Sequence, residues 1–146
     1  MWRVAISGSS RARSAAVMAW PAACCVAALR PRAMRKVQDT ISDNAANAGI
    51  VVGASRADAR AISRPWVGAI LRQNGMVEET GLAAGVQGDP AIGIAWLANK
   101  LAPWGEQLKA GQIVLAGSFT RPVAAKAGDV FEADYGPLGT LQFQFT

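Results

Sequence analysis

An Asn-Gly pair, Asn74-Gly75, sits between two runs of strand-forming residues, Trp66–Gln73 and Met76–Thr80. Asn and Gly tolerate the positive φ angles of a type I′ turn, whose twist matches that of antiparallel strands. The pattern predicts a hairpin, and the other elements must be arranged around it. On its second strand Glu78 and Glu79 are neighbours. Alternation sends them to opposite faces, so they cannot act as a pair and at most one can face a site. A solvated edge carboxylate is the simplest role for each.

The segments before the hairpin carry shorter signals. Lys36–Ser42 reads as a short strand or turn, and Ser42–Gly49 as a polar turn whose side chains bond nearby backbone. Gly49–Gly53 reads as a short buried strand, and Ala54–Ser63 as a surface loop. After the hairpin, Asp89-Pro90 marks a helix start: Asp caps free N–H groups, and Pro suits the first helical position. Ala91–Leu101 then places Ile94, Leu97 and Leu101 on one face, with Trp96 beside them. That face is expected to pack on a sheet, and Pro103 and Gly105 to end the helix.

Three further strands are expected at Gln112–Ala116, Asp129–Tyr135 and Gly139–Phe145, with Val123–Lys126 a short fourth candidate. Leu141, Phe143 and Phe145 alternate with Thr140, Gln142 and Gln144, the period of a half-buried strand. Gly-containing turns separate these segments. The fold class expected is α+β: a β-rich mixed sheet or roll with one main helix.

Charge divides the 146 residues in two. The net +5 arises in residues 1–35, which hold six Arg and no acid; residues 36–146 carry nine Lys and Arg against ten Asp and Glu. The body is therefore nearly neutral and shows no basic patch interleaved with aromatics, so no nucleic-acid partner is expected. Residues 1–35 are expected to be an aberrant, disordered or leader segment, and residues 36–146 the folded unit. The apolar run Ala15–Leu29 is broken by Pro21 and too short to span a bilayer, so no membrane partner is expected. Cys24 and Cys25 are adjacent, which suits neither a structural disulfide nor a closed zinc site. Nothing indicates an oxidising compartment, and a cytoplasmic location is expected. The absence of histidine removes Ser-His, Cys-His and His-metal schemes.

The stretch with chemical content is Gln112–Pro122. An apolar run, Ile113-Val114-Leu115, leads into Gly117 and then Ser118, Thr120 and Arg121, two hydroxyls and a fixed cation. A guanidinium matches a carboxylate in shape and charge, so the loop suits an anionic small molecule. An ordinary connection with one solvated Arg fits the same residues.

Five segments resemble a known family. They are Ile41–Gly49, Asn74–Gly81, Ile94–Leu101, Leu108–Pro122 and Gly128–Gly136. In order and spacing, Met34–Phe145 resembles the hydratase and decarboxylase branch of the fumarylacetoacetate hydrolase superfamily, enzymes of aromatic meta-cleavage catabolism. The resemblance implies the C-terminal part of that superfamily's fold and a homo-oligomer in full-length members. It implies a small 2-oxo acid as substrate and a lyase that hydrates a 2-hydroxy-dienoate diacid. Vinylogous decarboxylation, or a non-catalytic fragment packing against a partner chain, are the alternatives. A divalent metal, usually Mg²⁺, would chelate the 2-oxo and carboxylate oxygens. The family's three metal-binding carboxylates precede the Ser-Asp-Asn segment, and residues 1–35 hold no acid to replace them, so this chain is expected to be inactive alone. Ser42 and Asn44 would contact the substrate, with Asp43 the catalytic candidate; a turn bonding its own backbone is the competing role. Ser118, Thr120 and Arg121 would hold the carboxylate end. Glu132 and Asp134 stand two apart on a late strand and read as an exposed edge face, not a metal pair.

Overall fold

The computed structural model describes residues 4–5, 19–27, 38, 42, 47–58 and 60–146. Its strands are β1 (Val4–Ala5), β2 (Ala19–Ala27), β3 (Asn47–Asp58), β4 (Gly68–Gln73), β5 (Met76–Leu82), β6 (Val130–Asp134) and β7 (Thr140–Phe145). Helix α1 spans Pro90–Leu101. A sheet has the order β1-β7-β6-β4-β5, and β2 pairs separately with β3. The architecture is α+β. Every described pairing is antiparallel, which narrows the expected mixed sheet to an antiparallel one.

The Asn-Gly hairpin forms as β4 and β5, with Asn74 at φ 52° and Gly75 at φ 84°. Leu71 pairs with Glu79 but Arg72 with Val77, so β5 carries one extra residue at Glu78. That bulge interrupts strict alternation beside the two glutamates. Beyond the turn, Asp129 clamps the hairpin end. Its carboxylate accepts from Asn74 Nδ2 at 2.9 Å, Gln73 Nε2 at 2.7 Å and the Lys126 backbone N–H at 2.8 Å. Asn74 Oδ1 in turn accepts the Val130 N–H at 2.9 Å.

The alternating residues of β7 meet those of β6. Phe131 and Phe143 stack with centroids 5.6 Å apart, and Phe145 approaches both edge-on. Val51 of β3 joins Phe131 and Phe143 in one buried cluster. Ala133, Leu138 and Leu141 form a second, covered by Ile62, Val67 and Leu71. The ribbon of β2 and β3 therefore leans on the face of the larger sheet through Val51.

Several sequence expectations are corrected. Gln112–Ala116 forms no strand: residues 112–118 run outside any ladder, with Ile113 53% and Leu115 42% exposed. An apolar triplet supplies side chains for a strand, but a strand also needs a neighbouring backbone to bond. Val123–Lys126 is likewise not a strand. In the opposite sense, Ala54–Asp58 belongs to β3 rather than a loop, because β2 offers it a partner: Trp20 pairs with Ala57 and Ala19 with Asp58. Gln38 and Ser42 are helical, and Ser42 Oγ donates to the Gln38 carbonyl one turn back at 2.8 Å, in place of a strand or turn. Finally, β6 lies between β4 and β7, not at an edge, and Arg72 on β4 reaches Glu132 at 2.7 Å and Asp134 at 4.0 Å.

Helix α1 begins as the sequence requires, with the Asp89 carboxylate accepting the Ala91 N–H at 2.9 Å and Pro90 at the first position. Arg64 grips the same carboxylate at 2.8, 3.1 and 3.2 Å, tying the turn Arg64–Trp66 to the helix start. The apolar face of the helix joins neither buried cluster, so the expected packing on a sheet is corrected. Ile94, Leu97 and Leu101 are half-buried, Ile92 and Trp96 are exposed, and Pro90 is its one buried residue.

The two clamping carboxylates make acid stability testable. Hydrogen bonds from Arg64, then from the Ala91 N–H, hold Asp89 below the ordinary carboxylate range. Those from Asn74 and the Lys126 N–H do the same for Asp129. A depressed folded pKa means the unfolded chain takes up protons first as pH falls. Their stabilisation is therefore complete above about pH 4 to 5 and lost as pH drops through the folded values. Denaturant midpoints measured from pH 7 downward should fall below about pH 4. Asp129→Asn should make that acid decline shallower, and an unchanged decline would show that Asp129 is not among the linked groups.

Candidate functional site

Two sequence segments some forty residues apart meet at the free side of β5. The strand supplies Glu79 and Gly81; the loop Gly117–Pro122 supplies Ser118, Phe119, Thr120 and Arg121. Gly117 adopts φ 117°, a left-handed value open to glycine, and this turns the chain past Val86 and onto the strand. Phe119 then lies against the backbone of Gly81. A Cβ there would fall on the Phe119 carbonyl oxygen, with the carbonyl carbon 2.9 Å and ring Cδ2 3.1 Å away. Beneath the loop the Phe119 ring meets Tyr135 edge-on, centroids 6.5 Å apart.

The loop's polar groups are organised among themselves. Ser118 Oγ donates to the Thr120 carbonyl at 2.8 Å and accepts the Thr120 N–H at 3.3 Å; the two hydroxyl oxygens are 3.3 Å apart. This small turn fixes both hydroxyls at the tip, Ser118 exposed and Thr120 half-buried. Arg121 points back to β5. Its Nε donates to Glu79 Oε1 at 2.9 Å, and Nη2 stands 2.9 Å from the same oxygen as an ion pair. The Glu79 side chain is 15% exposed and Arg121 85%, so the carboxylate is sheltered and the cation faces water.

Of the six candidate residues, Ser118, Thr120 and Arg121 are brought together in one loop. Ser42 is exposed and bonded to Gln38, while Asp43 and Asn44 lie outside the described residues. Sequence reasoning left Glu79 as an ordinary solvated acid, and did not single out Gly81. The signal was there in part: of two adjacent acids at most one could face a site, and Glu79 is the half-buried one, while Glu78 is exposed. Nothing local revealed that Arg121 was its partner.

Among the described residues, no three of Asp, Glu and Cys converge as a metal cage would require. The i, i+2 pair Glu132 and Asp134 is engaged by Arg72. Among the described residues, no helix is long and apolar enough to cross a membrane.

No protein-family model matches the chain. Individual proteins do. A 2-oxo-hept-4-ene-1,7-dioate hydratase of Escherichia coli is 56% identical over 111 residues, which is 76% of this chain and 42% of that protein. A 2-hydroxyhexa-2,4-dienoate hydratase of Comamonas testosteroni is 39% identical over the same length. Among solved structures, 4-oxalocrotonate decarboxylase from Pseudomonas putida G7, complexed with magnesium and adipate, superposes with a TM-score of 0.67. It is 32% identical, and the match covers 71% of this chain and 40% of that one. The chain thus spans about two fifths of the length of the relatives it matches.

Proposed function

Three quarters of this chain belongs to the hydratase and decarboxylase branch of the fumarylacetoacetate hydrolase superfamily, and on that premise we propose that residues 36–146 are part of a diacid hydratase. The reaction is addition of water to a 2-hydroxy-dienoate or 2-oxo-4-enoate carrying a second carboxylate. The 56% identity to an enzyme named for a seven-carbon diacid carries this reading. Arg121 supports it, since an exposed guanidinium held against the edge of β5 is suited to the distal carboxylate. Ser118 and Thr120 offer hydroxyls beside it, and Ser42, Asp43 and Asn44 are assigned to the 2-oxo end, with Asp43 handling a proton. The fold is taken as the C-terminal part of the superfamily's fold, and residues 1–35 as unrelated to it.

The structure of the Pseudomonas putida relative was obtained with magnesium, and the residues described here do not make a magnesium donor set. No step is therefore routed through a metal held by them. The donors are assigned to the portion of the relatives that the alignment leaves out.

This is testable by absorbance of the dienoate. Purified 1–146 with Mg²⁺ is expected to leave it unchanged, while the chain joined to the unmatched portion of the E. coli hydratase is expected to consume it. Turnover by 1–146 alone would overturn the assignment of the donors. A silent chimaera beside an active parent enzyme would overturn the hydratase reading, and carbon dioxide release would move it to decarboxylation. A purely packing role has its own support in exposed Trp66, Trp96, Trp104 and Ile113. Native mass spectrometry distinguishes it, since a metal-independent complex without turnover favours packing.

A further inference from the structure

We infer that Glu79 is a positioning residue for Arg121, holding one edge of the guanidinium so that the other is presented to a ligand carboxylate. The inference rests on the reading of Arg121 as the seat of the distal acid group. Guanidinium carries five N–H donors in a planar fork. Here Nε and Nη2 both reach Oε1 of Glu79 at 2.9 Å, and among the described residues nothing bonds Nη1. The unused edge, Nη1 with the second Nη2 hydrogen, is the one that can take a carboxylate bidentately.

Glu79 is suited to this because it is itself held. Its side chain is 15% exposed against 85% for Arg121, and it lies on β5, paired through Leu71 to the interior of the sheet. An arginine at a loop tip otherwise loses rotamer freedom whenever it binds; one already docked on a strand loses less. The pairing has an electrostatic consequence as well. Glu79 offsets the Arg121 charge, so a lone negative charge nearby gains little, and the ligand that gains is one whose two oxygens fit the open edge. With the other end of the ligand assigned to Ser42, Asp43 and Asn44, a monoacid can fill only one of the two seats, so the ligand class selected is a diacid over a monoacid of equal length.

The experiment is an NMR titration of the 146-residue chain with adipate and with hexanoate. Wild type is expected to favour adipate by about tenfold, the scale of one charge-assisted pair. Arg121→Ala should bring the ratio near one. Glu79→Ala should lower it at least threefold, and Glu79→Gln, whose amide oxygen still accepts from Nε, should restore most of it. An unchanged ratio in Glu79→Ala, alongside its loss in Arg121→Ala, overturns the positioning role and leaves Arg121 standing. No preference in wild type, or none lost in Arg121→Ala, overturns the Arg121 reading and this inference with it. A second readout needs no variant: the Arg121 Nε–H resonance should be protected in the free chain and stay so with adipate. Its release on adding adipate would mean that the ligand displaces Glu79, and would overturn the inference.

Discussion

A methyl group added at Gly81 is expected to lift the Ser118–Pro122 loop from β5 and remove the diacid preference. The added Cβ would meet backbone, the carbonyl group of Phe119, and a backbone carbonyl cannot rotate aside as a side-chain tip can. Either β5 or the loop must shift, and overpacking of this kind costs about 1–3 kcal/mol. The loop is the weaker of the two, because it belongs to no ladder whereas β5 is bonded to β4 along its length. Arg121 lies two residues beyond Phe119, so its contact with Glu79 goes with the displacement. Gly81→Ala should lower the urea midpoint and bring the adipate-to-hexanoate ratio near one. Gly85→Ala is the control, since its Cβ would stand 3.7 Å from the Phe119 Cβ, ordinary contact, and should change neither. A Gly81→Ala chain with wild-type stability and ratio would show that the loop does not rest on the strand as described.

Phe143→Ala is expected to have the largest effect on stability. Phe143 is 4% exposed, stacks on Phe131, touches Phe145 edge-on and shares its cluster with Val51. Removing a buried phenyl ring typically costs about 3–5 kcal/mol, through lost transfer energy and the cavity left behind. Domains of this size commonly hold only about 5–15 kcal/mol in reserve. The loss should also loosen the ribbon of β2 and β3, whose Val51 packs there, so hydrogen exchange of β3 amides should accelerate with that of β7. Gln142→Ala, one residue away on the exposed face, should alter the denaturation midpoint by no more than about 0.5 kcal/mol equivalent. Equal stability of Phe143→Ala and wild type would mean that β7 is not the centre of the core.

Local chemistry sufficed for the elements whose signals close within a few residues. The Asn74-Gly75 turn, the Asp89 cap with Pro90, and the alternation of Leu141 and Phe143 each became the element expected. In the first two cases the bond or twist that decides the conformation joins residues at most a turn apart; in the third the alternation marks two faces, and the ladder with β6 makes the strand. The resemblance of Asn74–Gly81 and Leu108–Pro122 to a hydratase family was likewise legible, and a 56% identical relative bears it out. Ile113-Val114-Leu115 went the other way, since a strand is a property of two backbones and the triplet describes one.

What the amino acids determined by themselves was the hairpin, the helix start, the period of the last strand and the presence of a cationic, hydroxyl-bearing loop. What only the tertiary structure decided was which glutamate met Arg121, why Gly81 has no side chain, and that β3 runs on to Asp58. These depend on contacts between residues forty apart, or on a ladder with β2, and no local rule ranks such pairings. A side chain's preference is set by its neighbours in sequence, but its charge partner and its steric limit are set by whichever backbone folding brings alongside.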